Sequence, residues 1–332
     1  MAAKIKVGIN GFGRIGRTLF RSLLHHPHIE VVQVNDIADI KTLAHLLKYD
    51  SIHGVLHETI ETTPKGIIIA EKAVNFSAEK DITHINWGDA DVVIEATGKF
   101  KEKSHLEAHL QGNVKKVILS VPPVDDSIKT VVLGVNESEI DAQDTILSNA
   151  SCTTNNAAPM LQVIDKLCGI KQAYITTVHS YTTDQSLHDQ PHRDLRRARA
   201  AGQSIVPTTT GAAKALTKIF PHLSDVIGGC GIRVPVPNGS LCDITLNVEK
   251  EVSIETINNA FKEASEKELK GILQYTEDPI VSIDIVGNPH SCIFDAGMTS
   301  VIGTMVKIIG WYDNEVGYSS RIVDLILHIS RK

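Results

Sequence analysis

The stretch Lys4-Ile5-Lys6-Val7-Gly8-Ile9-Asn10-Gly11-Phe12-Gly13-Arg14-Ile15-Gly16 decides the fold of the first part of this chain. Apolar residues alternate up to Ile9 as in a strand, and helical spacing then follows as far as Leu23. A second apolar strand, residues 31–34, ends at Asn35-Asp36. Strand, glycine turn, helix and strand form one βαβ unit. We expect its crossover to be right-handed and its two strands to be parallel.

The three glycines of the turn have the spacing of a dinucleotide site. Gly11, Gly13 and Gly16 let the backbone N–H groups at a helix start approach a pyrophosphate. Asp36 ends the next strand, where its carboxylate can accept from both ribose hydroxyls and repels a 2′-phosphate. The pattern predicts NAD rather than NADP. A plain tight turn, with Asp36 as a surface carboxylate, is the alternative that these residues leave open.

Further strands are predicted at 91–94, 117–119 and 131–133, with a helix opened by the capping-box spacing of Ser104 and Glu107. The first 150 residues therefore predict a doubly wound, Rossmann-type parallel sheet in an α/β fold. Beyond Cys168 the pattern favours strands and irregular loops, which predicts a second, α+β domain on a mostly antiparallel sheet. Its predicted strands are residues 174–178, 241–248, 281–285 and 304–309, and apolar residues at helical spacing close the chain.

These patterns divide the chain into two domains. Residues 1–150 with a C-terminal helix, 316–332, are predicted to form the NAD-binding domain, and residues 151–315 the catalytic domain.

Composition excludes several classes of protein. With 332 residues, 42% of them hydrophobic, the chain is long enough for two globular cores. A net charge of -6 gives no bulk attraction to nucleic acid or to anionic membranes. Five cysteines without zinc-ligand spacing indicate a reducing compartment, and the absence of a signal-like leader or a long apolar run predicts a cytoplasmic protein without a membrane span.

Two histidine pairs, His53/His57 and His105/His109, have helix-face metal spacing. Neither pair has a third ligand nearby in the pattern. We therefore expect these histidines to be solvated and the chain to hold no metal.

Cys152 lies in Asn149-Ala150-Ser151-Cys152-Thr153-Thr154-Asn155-Asn156, between a short strand and a helical pattern. Unpaired N–H donors and the dipole at a helix start favour a thiolate, so Cys152 is a candidate nucleophile. The alternative is an ordinary buried cysteine. The hydroxyl and amide side chains around it fit an oxyanion site better. Pro159 should kink or delay this helix.

Six segments together resemble the phosphorylating glyceraldehyde-3-phosphate dehydrogenases over nearly the whole chain. They are Asn10 to Arg17, Ser151 to Asn155, Thr177 to Thr182, Asp194 to Ala201, Pro207 to Lys214 and Trp311 to Glu315. The resemblance implies that Cys152 attacks an aldehyde and that His179 acts as general base while hydride leaves for the nicotinamide. It further implies that inorganic phosphate releases the resulting thioester as an acyl phosphate. By itself, His179 is one of fifteen histidines and is better explained as structural.

The resemblance also assigns binding residues. For the substrate's phosphate it implies Thr182 and Arg233, and for the attacking phosphate Ser151, Thr154, Thr210 and Gly211, with Arg197 nearby. Thr153 also belongs to the predicted substrate- or phosphate-binding residues. For the cofactor it implies Gly11, Gly13, Arg14, Ile15, Gly16, Asp36, Lys80, Ser120 and Asn314. It implies a homotetramer as well. Without the resemblance, Arg197 and its neighbouring arginines are better read as surface or interface ion-pair residues.

Two positions depart from the family pattern. Lys80 stands where arginine is expected and lacks its planar fork, and Gln190 stands where NAD-specific members have leucine. A related possibility is an erythrose-4-phosphate dehydrogenase, which releases its acyl group to water. From another class, a nucleic-acid-binding protein that keeps a cofactor fold is disfavoured by the acidic balance.

Overall fold

The computed structural model describes residues 4–330, which separate into two compact units. The first unit contains residues 4–131, 138–150 and 319–330. The second contains Val132–Glu137 and Ser151–Tyr318. The chain therefore passes between the units more than once.

The first unit is built on a nine-stranded sheet, with a small two-stranded sheet beside it in sequence. Its strands are β1 Ile5–Asn10, β2 Ile29–Asn35, β3 Tyr49–Asp50, β4 Gly54–Val55, β5 Ile60–Thr63, β6 Gly66–Ile69, β7 Lys72–Ser77, β8 Val92–Glu95, β9 Lys116–Leu119, β10 Lys129–Thr130 and β11 Ile146–Ser148. The strand order is β10-β11-β9-β8-β1-β2-β7-β6-β5, and only the β5–β6 and β6–β7 pairs are antiparallel. The expected doubly wound parallel sheet is confirmed.

The start of one helix in this unit differs from the prediction. They are α1 Arg14–Leu23, α2 Ile40–Lys48 and α3 Lys103–Leu106. The predicted capping box at Ser104 is wrong, because Glu102 is the N-cap and the backbone N–H of Lys103 donates to Asp125, 2.9 Å away. A distant carboxylate thus caps this helix.

The strand predicted at 131–133 is also wrong. The strand here is β10, two residues earlier in the chain, and the residues after it form a turn. In that turn the backbone N–H of Val132 donates to the side chain of Asn136 at 2.8 Å. A local side-chain contact therefore replaces the sheet pairing that the apolar run predicted.

The second unit carries the other large sheet. Its strands are β12 Ile170–Ser180, β13 Val206–Thr208, β14 Ile227–Val234, β15 Ser240–Val248, β16 Leu273–Thr276, β17 Cys292–Asp295, β18 Ser300–Ile302 and β19 Met305–Tyr312. The order is β13-β14-β12-β15-β19-β17-β16, with β18 on β19. Only the β12–β14 and β16–β17 pairs are parallel, so the mostly antiparallel sheet is confirmed.

One strand predicted in this unit, at 281–285, is a turn instead. The backbone N–H of Val281 donates to the Asp284 carboxylate at 2.8 Å, and the N–H of Asp284 donates back to the Val281 carbonyl. A short apolar alternation is not sufficient for a strand when an aspartate can close a turn locally.

Helix α4, Cys152–Cys168, packs on this sheet and positions the candidate nucleophile. The unit's other helices are α5 Ala212–Ile219 and α6 Ile254–Glu266, and α7 Val316–Ile329 ends the described chain. Gly310 of β19 lets α4 approach closely, since a Cβ there would lie 2.7 Å from the sulfur of Met160. Pro159 lies inside α4 and does not delay it. Among residues 4–330, no helix has both the length and the apolar character needed to cross a membrane.

The glycine turn gives a stability prediction. A Cβ on Gly16 would lie 2.1 Å from the carbonyl oxygen of Gly11, whereas a Cβ on Gly13 would meet nothing within 4 Å. Gly16→Ala should therefore lower the free energy of unfolding by about 1–3 kcal/mol, as overpacking does. Gly13→Ala, the matched control, should change it by about 1 kcal/mol or less. Urea unfolding of both variants measures this, and equal shifts would show that the turn is not tightly packed.

Candidate active site

The thiol of Cys152 and the imidazole of His179 meet within the second unit. Cys152 is the first residue of α4, and His179 is the penultimate residue of β12. The Cys152 Sγ and the His179 Nε2 lie 3.4 Å apart, within hydrogen-bonding distance for sulfur. The imidazole is only 5% exposed. This is the nucleophile and base pair that the sequence predicts.

Burial decides the protonation of the pair. It raises the pKa of the Cys152 thiol, although the Arg233 guanidinium acts in the opposite direction. Burial, and then the charge of Arg233, lower the pKa of His179 to about 3. Burial therefore opposes both the thiolate that the helix start favours and a charged imidazole.

The start of α4 is organised by its N-cap, Ser151. The Ser151 Oγ accepts a hydrogen bond from the backbone N–H of Thr154 at 3.0 Å and lies 2.8 Å from the Thr154 hydroxyl. Two residues before the thiol, Ala150 has a φ of 55°, in the left-handed region that L residues rarely adopt. A constrained backbone therefore leads directly into the nucleophile.

Tyr312 supports the pair and carries no role in the sequence reading. Its hydroxyl lies 3.0 Å from the Thr153 Oγ1 and 2.8 Å from the Thr177 Oγ1. Its ring meets the His179 ring edge-on, with centroids 5.9 Å apart. Tyr312 thereby ties the first turn of α4 to β12. The only sequence signal for it was its place in the last family-like segment.

Asn314 follows β19, and two buried serines contact its amide. The hydroxyls of Ser180 and Ser240 each donate to the Asn314 Oδ1, both at 2.9 Å. The sequence singled out Asn314 but neither serine. Nothing in the spacing of Ser180 and Ser240 along the chain indicates that they converge.

Arg233, predicted to hold a phosphate, lies against the imidazole. Its Nη1 is 2.6 Å from the His179 Nδ1 and donates to the carbonyl of Ser180 at 2.9 Å. The same carbonyl lies 2.7 Å from the His179 Nδ1. Strands β12 and β14 bring these groups together, because His179 and Arg233 are register partners.

The other predicted phosphate ligands lie in the segment between β12 and β13 and in the turn between β13 and α5. Arg197 pairs with Asp184 and Asp194, and its Nε donates to the Thr208 hydroxyl at 2.9 Å. The hydroxyl of Thr210 accepts from the backbone N–H of Ala212. Gly211 is the N-cap of α5, and the backbone N–H of Thr182 donates to the side chain of Gln185.

In the first unit, Asp36 faces the glycine turn. Its carboxylate accepts from the backbone N–H groups of Phe12 at 2.7 Å and Ala38 at 3.0 Å. Gly11 has a φ of 93°, and a Cβ there would lie 2.7 Å from the backbone nitrogen of Thr97. A cavity of about 420 Å³ opens between these groups and is also lined by Lys80. Glycine turn, carboxylate and cation thus surround one pocket.

The structure shows where three further cofactor candidates, Arg14, Ile15 and Ser120, lie. The guanidinium of Arg14 forms a two-pronged ion pair with Asp50, at 2.6 and 3.1 Å. Burial of Asp50 opposes ionisation, but hydrogen bonds from Arg14 and from backbone N–H groups outweigh it and lower the pKa of Asp50 below its usual range. Ser120 is buried after β9, and Ile15 lies in the first turn of α1. The ion pair of Arg14 with Asp50 connects the start of α1 to the end of β3.

Sequence reasoning missed Glu95, a fully buried carboxylate at the end of β8. It accepts from the amide of Asn10 at 2.6 Å and from the backbone N–H of Thr97 at 2.8 Å. His109, expected to be solvated, is fully buried and its Nε2 lies 3.2 Å from Glu95. A charged residue that ends an otherwise apolar strand was the available signal. Over residues 4–330 no group of three potential metal ligands comes together.

Comparison with known proteins shows the family to which the chain belongs. Residues 5–103 match the family model described as the glyceraldehyde 3-phosphate dehydrogenase NAD binding domain, and residues 151–314 match that of the C-terminal domain. Glyceraldehyde-3-phosphate dehydrogenase 2 of Streptomyces avermitilis is 52% identical over 333 residues, covering 99% of each chain. Glyceraldehyde-3-phosphate dehydrogenase 1 of Bacillus cereus is 50% identical over 331 residues, covering 98% of this chain and 99% of its own. The Geobacillus stearothermophilus enzyme is 50% identical over 332 residues, covering 99% of each chain.

The fold, the dinucleotide pocket and the thiol–imidazole pair define an NAD-dependent oxidoreductase. More narrowly, the chain belongs to the glyceraldehyde-3-phosphate dehydrogenase family, as the resemblance of its motifs implied. Its cofactor is NAD.

The buried imidazole gives a pH prediction. Between the ordinary histidine pKa of about 6.5 and the pKa of His179, about 3, the unfolded chain binds a proton that the folded chain does not. The contribution of His179 to stability is therefore fully present above pH 6.5 and is lost as the pH falls towards 3, by about 1.4 kcal/mol per pH unit. We expect urea unfolding between pH 4 and 6.5 to show that the free energy of unfolding changes less with pH in His179→Asn than in the wild-type protein. Equal slopes would mean that the imidazole is already charged when folded.

Proposed function

We propose that this enzyme oxidises glyceraldehyde 3-phosphate with NAD and inorganic phosphate to 1,3-bisphosphoglycerate. One observation carries the proposal: a thiol at a helix start lies 3.4 Å from a buried neutral imidazole, with a guanidinium beside that imidazole. This arrangement supplies a nucleophile, a base and an anion ligand together. The names of the relatives supply the substrate.

The residues of the first unit fit NAD. Asp36 keeps lone pairs free for ribose hydroxyls while it accepts from Phe12 and Ala38, and the glycine turn leaves backbone N–H groups at the start of α1 for the pyrophosphate. Lys80 retains a positive charge at the same cavity. We assign Ser120 and Asn314 to the cofactor as the family resemblance implies. Bound NAD supplies the hydride acceptor.

The thiol and imidazole perform the first half of the reaction. As the Cys152 sulfur adds to the aldehyde carbon, the Nε2 of His179 takes the thiol proton and passes it to the developing oxyanion, which gives a hemithioacetal. In the tautomer whose Nδ1–H donates to the Ser180 carbonyl, 2.7 Å away, the Nε2 keeps the lone pair that accepts this proton. Nε2 then accepts the hemithioacetal hydroxyl proton as hydride leaves, and a thioester remains.

Two sets of donors serve the phosphates. We assign Thr182 and Arg233 to the phosphate of the substrate, and Ser151, Thr153, Thr154, Thr210 and Gly211, with Arg197 nearby, to the attacking phosphate. The guanidinium of Arg197 is already paired with carboxylates, so phosphate binding there requires an exchange of partners. Attack of phosphate on the thioester carbon breaks the C–S bond, and the proton held on the His179 Nε2 passes to the released sulfur, which restores the thiol.

The remaining assignments follow the family. We propose that residues 1–150 with 316–332 act as the NAD-binding domain, residues 151–315 as the catalytic domain, and that the enzyme is a cytoplasmic homotetramer.

The first functional prediction concerns the sulfur. Cys152→Ser should lower kcat with glyceraldehyde 3-phosphate by at least about 10³-fold, because a neutral hydroxyl is a far weaker nucleophile than sulfur. The control, Cys230→Ser, removes a thiol of β14 and should retain activity. Initial rates of NADH formation measure both. Full activity of the Cys152 variant would refute the proposal, and turnover independent of phosphate would favour release of the acyl group to water.

The second functional prediction concerns cofactor choice. Asp36→Asn removes the charge that repels a 2′-phosphate, so the ratio of kcat/KM for NADP to that for NAD should rise about 10- to 100-fold. The control is Asp39→Asn, which removes an equal charge from the N-cap of α2. An unchanged ratio in the Asp36 variant, or an equal change in both, would show that this carboxylate does not select the cofactor.

A further inference from the structure

Two buried hydroxyls fix the orientation of one amide in the second unit. Ser180 ends β12, Ser240 begins β15, and Asn314 lies two residues beyond β19. The serines are fully buried or nearly so, and Asn314 is 8% exposed. Both hydroxyls donate to the same atom, the Asn314 Oδ1, each over 2.9 Å. Three separate segments therefore converge on a single side-chain oxygen.

The direction of these hydrogen bonds is set by an obligate donor. The backbone N–H of Ser180 donates to the Ser240 Oγ at 3.1 Å. The Ser240 hydroxyl proton is then free for a different acceptor, and among the described residues the oxygen of the Asn314 amide is the one that accepts it. With the amide reversed, its NH₂ would face both serines and leave two buried hydroxyl protons without acceptors, which is unfavourable.

The opposite end of the amide is therefore a dedicated donor. Within residues 4–330, no group accepts a hydrogen bond from the Asn314 Nδ2. This nitrogen keeps access to solvent, although the residue as a whole is only 8% exposed, so it is available to a ligand that presents an acceptor oxygen. The same strand end carries the base, because Ser180 directly follows His179 and its carbonyl lies 2.7 Å from the His179 Nδ1.

We propose that Ser180 and Ser240 are positioning residues that hold Asn314 with its Nδ2 directed at the carboxamide oxygen of the nicotinamide. The inference rests on the proposed function and adds to it how the donor is kept in place. Neither serine touches the ligand. Their hydroxyls act through Asn314, which can then accept only one orientation of the carboxamide and hence of the ring that receives hydride.

The proposal predicts a change in discrimination between two cofactors. In 3-acetylpyridine adenine dinucleotide a ketone replaces the carboxamide, so the acceptor oxygen remains and the NH₂ is lost. An Asn314 amide whose Nδ2 is directed at the nicotinamide can donate to the carbonyl oxygen of either cofactor. An amide free to reverse presents its oxygen, which the NH₂ of NAD can satisfy and the methyl group of the analogue cannot.

The test compares Ser180→Ala, Ser240→Ala and the double variant with wild-type enzyme, using glyceraldehyde 3-phosphate and either cofactor. Each single variant should lower kcat/KM for NAD by about tenfold, the effect of one lost buried hydrogen bond. The ratio of kcat/KM for NAD to that for the analogue should rise at least about fivefold in the double variant. Ser291→Ala is the matched control, because its buried hydroxyl has no partner among the described residues.

A structural role alone would lower the values for both cofactors in proportion, so an unchanged ratio in the double variant overturns the proposal. Thermal midpoints and the rate of Cys152 alkylation show whether the second unit is intact. If the alanine variants do not fold, Ser240→Cys keeps most of the volume with a weaker donor and should give an intermediate ratio; a wild-type ratio also overturns the proposal. Failure of wild-type enzyme to reduce NAD refutes the proposed function itself, and this inference with it.

Discussion

The 3.4 Å contact between the Cys152 Sγ and the His179 Nε2 is the interaction on which the rest of the site depends. It brings together the start of a helix and the end of a strand. In the proposed reaction the thiol needs the imidazole as its base, and the imidazole needs the thiol as the source of the proton. Helix α4 is held on the sheet by close packing at Gly310, and its first turn is fastened by the Ser151 cap and by Tyr312. The packing of the second unit thus sets the distance between nucleophile and base.

Burial gives this pair its chemical character. Removing both groups from water disfavours a charged imidazole and a free thiolate alike. The Ser180 carbonyl, 2.7 Å away, can accept a hydrogen bond from an Nδ1–H, and in that tautomer the Nε2 is the basic nitrogen. A guanidinium next to the ring disfavours the charged imidazole further and places a positive charge where an anionic substrate can use it.

The sequence predicted what local pattern determines. The glycine turn, the parallel sheet of the first unit and the cysteine at a helix start each follow from residues close together in the chain. Contacts between distant segments were not predictable. Asp125 caps α3 in place of Ser104, and Asp284 closes a turn where a strand was expected. Such outcomes depend on tertiary partners, which periodicity does not report.

The same limit applied to the site. The residues of the motif around Cys152 were identified, and the resemblance identified His179, but the serines behind Asn314 and the buried carboxylate of Glu95 were not. The sequence around a serine or glutamate in a strand does not indicate which amide its side chain will contact in the folded protein. The electrostatic environment of the thiol was also not predictable from the sequence. The effect of a helix start on a thiol can be read from sequence, whereas the opposing effect of burial requires the packed structure.

The most direct test of this account is the rate at which iodoacetamide alkylates Cys152, located by peptide mass spectrometry, in wild-type protein and in His179→Asn at neutral pH. A neutral imidazole that takes the thiol proton as sulfur reacts should make the wild-type rate at least about 100-fold higher. Equal rates in the two proteins would contradict the central claim, because the thiol would then need no base at position 179.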